Sequence, residues 1–426
     1  MSYQADILGT HINILSGFAF KSNDFVDSGI PVIKIKNITP PNVSMDDLSY
    51  VLDDVIPSKY ILNYDDVLIA MTGSHINQMA SVVGRVARVK CSEKTALNQR
   101  VGKITVIDPD DCDLDYVYYY LSQEKVKIEL ANKAGGAANQ ANISPTDIKN
   151  LAIPFPNINI QRKISSVLRA YDDLIENNQK QIKLLEEAAQ RLYKEWFVDF
   201  RFPGHENTKI TDGIPEGWKK CRLSEIIAYE IGGGWGEVYP MEKCDVPAYV
   251  VRGTDIYSIT HGNALSIPYR YHEKRNLNMR QLKDGDIVFE VSGGSKTEGV
   301  ARTALIRSSM LKQWDAPVMC ASFCKLVRLK ERDLAQVLFD AFQYMRASGK
   351  TTEYDKRSAS SIVNYRWKDF LADEAILIPD KLTLEKYNAL ASNMYQLIIQ
   401  KAAAIEHATT VRNRLLPKLM SGEIEV

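Results

Sequence analysis

Residues 160–201 read IQRKISSVLRAYDDLIENNQKQIKLLEEAAQRLYKEWFVDFR, without a Gly or a Pro. Ile160, Ile164, Val167, Tyr171, Leu174, Asn178, Gln181, Leu185, Ala188 and Leu192 recur at alternating steps of four and three. Leu168, Ile175, Ile182, Ala189 and Trp196 widen this stripe on one side. A sustained 3.5-residue spacing predicts a helix whose seam wants another helix. At 1.5 Å per residue, a helix of roughly 36 residues spans ~55 Å, more than a domain needs internally, so it reads as a spacer. The alternative is a long helix folded back on its own domain. Asn178 and Gln181 fit register-setting seam positions or contacts with solvent or a partner. The same spacing returns in Leu384, Tyr387, Ala391, Met394, Ile398, Lys401, Ile405, Ala408, Arg412, Leu415 and Leu419. There Pro417 predicts a kink or an early end.

The segments before the two helices repeat as well. In the first half, GIPVIKIKNI (29–38) and LNYDDVLIAMTGS (62–74) match VPAYVVRGTDI (246–256) and LKDGDIVFEVSGGS (282–295) in the second. Asp66 aligns with Asp286 and Gly73 with Gly293, each pair 220 residues apart. Asp147-Ile148 answers Asp369-Phe370, Ile153-Pro154 answers Ile378-Pro379, and Arg191-Leu192 answers Arg414-Leu415. A unit of about 200 residues, an ordinary domain length, has been duplicated. Short β-branched and aromatic runs at 31–35, 67–71 and 104–107 predict strands, and residues 116–130 and 334–345 predict helices. The expected class is α+β: two tandem mixed α/β domains, 1–157 and 204–380, each followed by a long helix, 158–203 and 381–426.

Composition narrows the function. The chain has 426 residues, 53 Lys+Arg against 53 Asp+Glu, 45% apolar and 25% charged residues. That is an ordinary globular profile, without a run of ~18 apolar residues or a secretory leader, so a cytoplasmic location away from membranes is expected. Six scattered cysteines without a CxxC pair argue against disulfides and zinc. Zero net charge excludes indiscriminate coating of nucleic acid, though not a local basic face. Residues 72–103 carry six basic residues against Glu93 alone, and residues 292–330 carry seven against Glu298 and Asp315. Both stretches follow the repeated Gly73/Gly293 turn.

Catalytic patterns are missing. The glycines at 232–236 lack a strand-to-helix setting, and SGGSKT (292–297) lacks the Gly that should precede the Lys of a phosphate loop. The six histidines form no ligand cluster, and no HExxH or GxSxG occurs. No adenine-methyltransferase NPPY-type run or PD…ExK nuclease arrangement is present. The chain reads as non-catalytic, with no metal and no cofactor of its own.

The basic stretches bring residue types that read bases. Arg and Lys suit guanine, while Asn and Gln suit adenine. Thr72, Ser74, His75, Asn77, Gln78, Arg85, Arg88, Lys90, Gln99 and Arg100 are candidates in the first, and Ser295, Lys296, Thr297 and Arg302 in the second. A small polar loop with Asn139 and Gln140 could approach a phosphate, as could its counterpart with Lys350, Thr351, Lys356 and Arg357.

GFAFKS (17–22) with Asp24-Phe25 and GIPVIKIKNI (29–38) resembles the opening of a target recognition domain in specificity subunits of type I restriction–modification systems. ISPTDIKNLAIPFP (143–156) with QRKI (161–164) resembles that family's passage into its long helix, and LLPKLMSGEI (415–424) its usual ending. The second unit departs most: GGGWG (232–236) replaces the opening motif, and residues 378–381 lack the second Pro.

The resemblance implies that two recognition domains each read half of a bipartite, asymmetric double-stranded DNA site. The helices would pair as an antiparallel coiled coil, set the gap and dock two methyltransferase subunits, with restriction/translocase subunits joining that core. S-adenosylmethionine, ATP and Mg would belong to those partners, in a bacterial or archaeal cytoplasm. It adds Lys21, Ser22, Lys36 and Asn37 as DNA-binding candidates, with Trp235, Arg252 and Thr254 at corresponding places. Ile160, Ile164, Tyr171, Leu174, Ile175, Leu185, Leu192, Tyr387, Met394, Ile398, Ile405 and Leu415 become the spacer and docking residues. A competing reading keeps the helices and makes the α/β units protein-binding, a non-catalytic interaction scaffold.

Overall fold

A computed structural model describes residues 3–74, 83–135, 141–263, 267–293, 299–357 and 362–426. Its first long helix spans Ile158–Tyr193 and continues through a wider π-type turn, Lys194–Val198; the second spans Lys381–Ser421. Pro417 does not end the second helix, contrary to the sequence expectation. A proline in a helix costs roughly 3 kcal/mol. Beyond it Leu419 and Met420 are buried, each contributing roughly 1.5–3 kcal/mol, which offsets that cost.

Two compact units divide the chain: Met1–Leu174 with Ala408–Val426, and Ile175–His407. Each therefore contains a piece of both long helices, and the pieces run antiparallel. In the first unit, Ile164 and Leu168 share a core with Leu419 and Met420, and Asp172 meets Arg412 at 2.5 Å. In the second, the rings of Trp196 and Phe197 lie 5.6 and 4.9 Å from that of Tyr387. The buried line of the first helix is rotated from the expected one. Leu168, Ile175, Ile182, Ala189 and Trp196 are buried, whereas Val167 and Leu174 are 36% and 45% exposed. Asn178 is buried at the seam, as are Ile164, Tyr387 and Ile398. Ile160, Tyr171, Leu185, Leu192, Met394, Ile405 and Leu415 are half-buried.

The first unit holds a six-stranded sheet in the order 12–16, 101–106, 67–70, 86–88, 42–43, 38–39. A five-stranded sheet runs 25–26, 49–51, 30–33, 95–97, 61–62. The predicted helix over 116–130 is two helices, Leu114–Ser122 and Glu124–Lys133, because Gln123 between them is extended. Tyr116, Val117 and Leu130 pack with Val67, Ile69 and Ile104 of the sheet and with Ile164 and Leu168 of the long helix.

Duplication is legible strand by strand. The second unit has a sheet ordered 227–232, 324–329, 287–290, 303–305, which repeats the first four strands above. Its sheet 269–272, 246–251, 318–320 repeats 49–51, 30–33, 95–97, including one parallel pair in each. Asp66 and Asp286 do the same work, accepting the backbone N–H of Asn63 at 2.7 Å and of Lys283 at 2.6 Å. Each also pairs with a cation of the neighbouring strand, Lys103 or Arg328, at 2.6 Å. Asp147 and Asp369 lie in the first turn of equivalent short helices, Pro145–Lys149 and Trp367–Asp373, and the residues after them, Ile148 and Phe370, are fully buried.

Candidate nucleic-acid interface

At one end of each main sheet a tight turn is pinned by backbone hydrogen bonds. In the first unit it is residues 98–101, closed by Val101 N–H to Asn98 O at 2.9 Å. Gly17 N–H bonds Val101 O at 3.0 Å, Phe18 N–H bonds Leu97 O at 2.9 Å, and Met71 N–H bonds Arg100 O at 3.0 Å. In the second unit, residues 321–324 repeat every bond: Cys324 to Ala321, Gly233 to Cys324, Gly234 to Cys320, and Val291 to Phe323, at 2.9–3.0 Å. Glycine is required beside both turns. A Cβ on Gly17 would lie 2.2 Å from Asn98 O, and one on Gly233 2.1 Å from Cys320 O. The GGGWG segment therefore retains the glycine of the first unit's GFAFKS, one residue along.

These superposed bonds make Phe323 the counterpart of Arg100. Arg100 is exposed and has no ion-pair partner among the described residues; Phe323 is 51% exposed. Phe323 escaped the sequence reading. Its signal lay in carrying the repeat past Gly293 and allowing three extra residues, which shifts the 220-residue offset to 223.

Other candidates gather near the same ends. Thr72 and Gly73 pair with Asn142 and Ala141, and Thr72 Oγ1 donates to Asn142 Oδ1 at 2.7 Å. Ser292 and Gly293 pair with Asn364 and Val363, which in turn pair with Lys356 and Arg357. Lys21, Ser22, Gln99, Trp235, Thr254, Lys356 and Arg357 are exposed; Ser74 and Arg85 are half-buried. His75, Asn77, Gln78, Asn139, Gln140, Ser295, Lys296 and Thr297 lie outside the described residues.

Several candidates are engaged internally. Lys36 pairs with Asp47, Arg252 with Asp255 at 2.7 Å, Arg302 with Glu290 at 2.6 Å, and Lys350 with Glu353 at 2.7 Å. Asn37, Thr72 and Thr351 are buried. Asn37 accepts from Lys34 N–H and donates to Asp46 O.

Arg88 requires a correction. It is 5% exposed, so it lies in the interior and not at a phosphate-facing surface. Its guanidinium meets Asp115 at 2.8 Å and Asp65 at 3.5 Å, and lies over the Tyr118 ring at 4.1 Å. Arg169 of the first long helix binds the same two carboxylates at 2.6 Å each, and Lys90 binds Asp65 at 3.0 Å. Burial opposes charge on Asp65, yet hydrogen bonds from Lys90 and Arg169 hold its carboxyl below the usual range. Three cations on two acids fasten the unit to its helix; an uncompensated buried charge would be costly, and here each has a partner.

The second unit is fastened differently. Asp340, 3% exposed, accepts from the hydroxyls of Tyr387 and Tyr395 on the second long helix, both at 2.8 Å. Gln336 donates to the same carboxylate at 2.8 Å and accepts from Arg307 at 2.6 Å. Burial pushes the Asp340 carboxyl up to about 6, although these hydrogen bonds and Arg307 pull it down.

Among the described residues no group of three or more His, Cys, Asp or Glu is placed to hold a metal ion, and no helix is long and apolar enough to cross a membrane. Residues 10–187 match the type I restriction modification DNA specificity domain. The fold is similar to the type I restriction–modification S subunit from M. genitalium, with a TM-score of 0.60 at 15% identity, over 99% of this chain and 96% of that one. The matched residues are thus of the DNA specificity domain class. The chain is similar over most of its length to specificity subunits of type I restriction enzymes. It is 28% identical over 354 residues to the MjaIX specificity subunit of Methanocaldococcus jannaschii, covering 78% of this chain and 74% of that protein. It is 23% identical over 308 residues to the EcoBI specificity subunit of Escherichia coli, covering 68% and 60%.

Proposed function

We propose that each recognition domain, 1–157 and 204–380, reads one half of a bipartite, asymmetric site in double-stranded DNA. The long helices, 158–203 and 381–426, hold the gap and dock methyltransferase subunits. The observation that supports this best is the bond-for-bond repetition of one exposed turn frame in two units built on the same helix pair. Phosphates would be met by the exposed cations near each frame, and bases by side chains on the turns. S-adenosylmethionine, ATP and Mg serve chemistry in the methyltransferase and restriction subunits. Footprinting of the chain reconstituted with its methyltransferase tests the reading. Two protected half-sites separated by an unread gap are expected; protection of one continuous site, or of none, overturns it.

A further inference from the structure

The equivalence of Arg100 and Phe323 gives the two half-sites different chemistry. We infer that Arg100 reads a guanine in the half-site of the first unit, and Phe323 a thymine methyl in that of the second. This rests on the DNA-reading function proposed above and names the base class at one position of each half.

The backbone of each residue is held on both sides. Arg100 O accepts from Met71, and its neighbours are fixed by Gln99 N–H to Phe18 O and Val101 N–H to Asn98 O, both 2.9 Å. Phe323 O accepts from both Val291 at 2.9 Å and Ser292 at 3.2 Å. The turns are thus preorganised, and little ordering cost would be left for binding. Among the described residues Arg100, like Lys21 and Arg85, closes no ion pair, and of these three it is the one on the pinned turn. Lys36, Arg88, Lys90, Lys94 and Lys103, by contrast, all close ion pairs with carboxylates of the same unit. An exposed guanidinium on a fixed turn presents its donor fork to O6 and N7 of guanine, the commonest specific contact in the major groove. At the same point of the second unit a phenyl ring replaces it. Phenyl offers no hydrogen bond to a base edge, while the 5-methyl group of thymine is the apolar feature of that groove. A ring left half in solvent gains by covering that methyl group.

The test uses the chain assembled with its methyltransferase subunits. The site is first mapped by sequencing methylated adenines, and binding is then measured on duplexes altered one base at a time. Replacing the assigned guanine by 7-deazaguanine, which lacks N7, is expected to weaken the wild type about tenfold and to leave Arg100→Ala unchanged. Replacing the assigned thymine by uracil is expected to weaken the wild type several-fold and to leave Phe323→Ala unchanged. Each substitution relaxes preference at one position of its own half-site only. Uniform weakening by Arg100→Ala across all sequences, with a shallower salt dependence, would place Arg100 on a phosphate and overturn the assignment. Uracil sensitivity surviving in Phe323→Ala overturns the second half. If the wild-type complex yields no bipartite site, the proposed function fails before either residue is tested. Arg100→Lys guards against misfolding: it retains the charge and loses the planar fork, so discrimination at guanine should fall while binding to other sequences is kept.

Discussion

Asp172 and Arg412, 240 residues apart in the chain, close an ion pair at 2.5 Å between the two long helices of the first unit. The same carboxylate accepts the Tyr119 hydroxyl at 2.7 Å. Both charged side chains are about four-fifths covered, so solvent screens the pair only in part. Asp172→Asn or Arg412→Ala is expected to destabilise the first unit by roughly 1–3 kcal/mol. A double-mutant cycle in denaturant should return a coupling of about 1 kcal/mol. Additive losses would show that the two side chains act independently.

Gly17→Ala and Gly233→Ala put a methyl group against carbonyl oxygens of the adjoining turns. Backbone cannot yield as a flexible side chain does, and each change should cost on the order of 3 kcal/mol. Gly135→Ala, whose Cβ would meet none of the described residues within 4 Å, is the control and should stay within about 0.5 kcal/mol. Equal midpoints for all three in urea would contradict the close approach.

Asp340 makes the second unit sensitive to pH. Burial pushes its carboxyl up from 3.8 to about 6, so the folded chain retains a proton that the unfolded chain has released. Its contribution to stability is full below about pH 4 and is lost as pH rises through about 6, a change of about 3 kcal/mol. Asp340→Asn should remove that decline. The measurement is Tm against pH for both proteins; parallel curves between about pH 4 and 7 would exclude the role.

Arg85 and Arg88 should separate cleanly. Arg85→Ala is expected to reduce the slope of log binding constant against log salt by about 0.9, the signature of one lost phosphate contact. Arg88→Ala should leave that slope unchanged and lower stability by roughly 3 kcal/mol, because Asp115 and Asp65 lose a buried partner. A salt slope altered by Arg88→Ala would return that residue to the surface.

The sequence carried the periodic features well, since they follow from repeated local physics. The 3.5-residue stripe revealed both helices, and Asp66/Asp286 marked the start of equivalent strands because each carboxylate caps the turn before them. The face of the stripe was harder. Val167 and Leu168 are neighbours with similar side chains, and only packing decides that Leu168 is buried while Val167 is exposed. Arg88 illustrates the same limit at the candidate site. Its charge reads as surface until Asp65, Asp115 and Arg169, distant in sequence, are seen to surround it. Phe323 was hidden because base-reading is associated with polar side chains, and its turn is recognisable only by backbone bonds that any residue can make.

The two turn frames are made of glycine and main-chain hydrogen bonds, so the residue at the tip has no part in holding them. Its side chain can be exchanged at little cost in stability, which leaves that position free to drift. A lineage can thereby acquire a new address by single substitutions while its scaffold and assembly surfaces stay as they were.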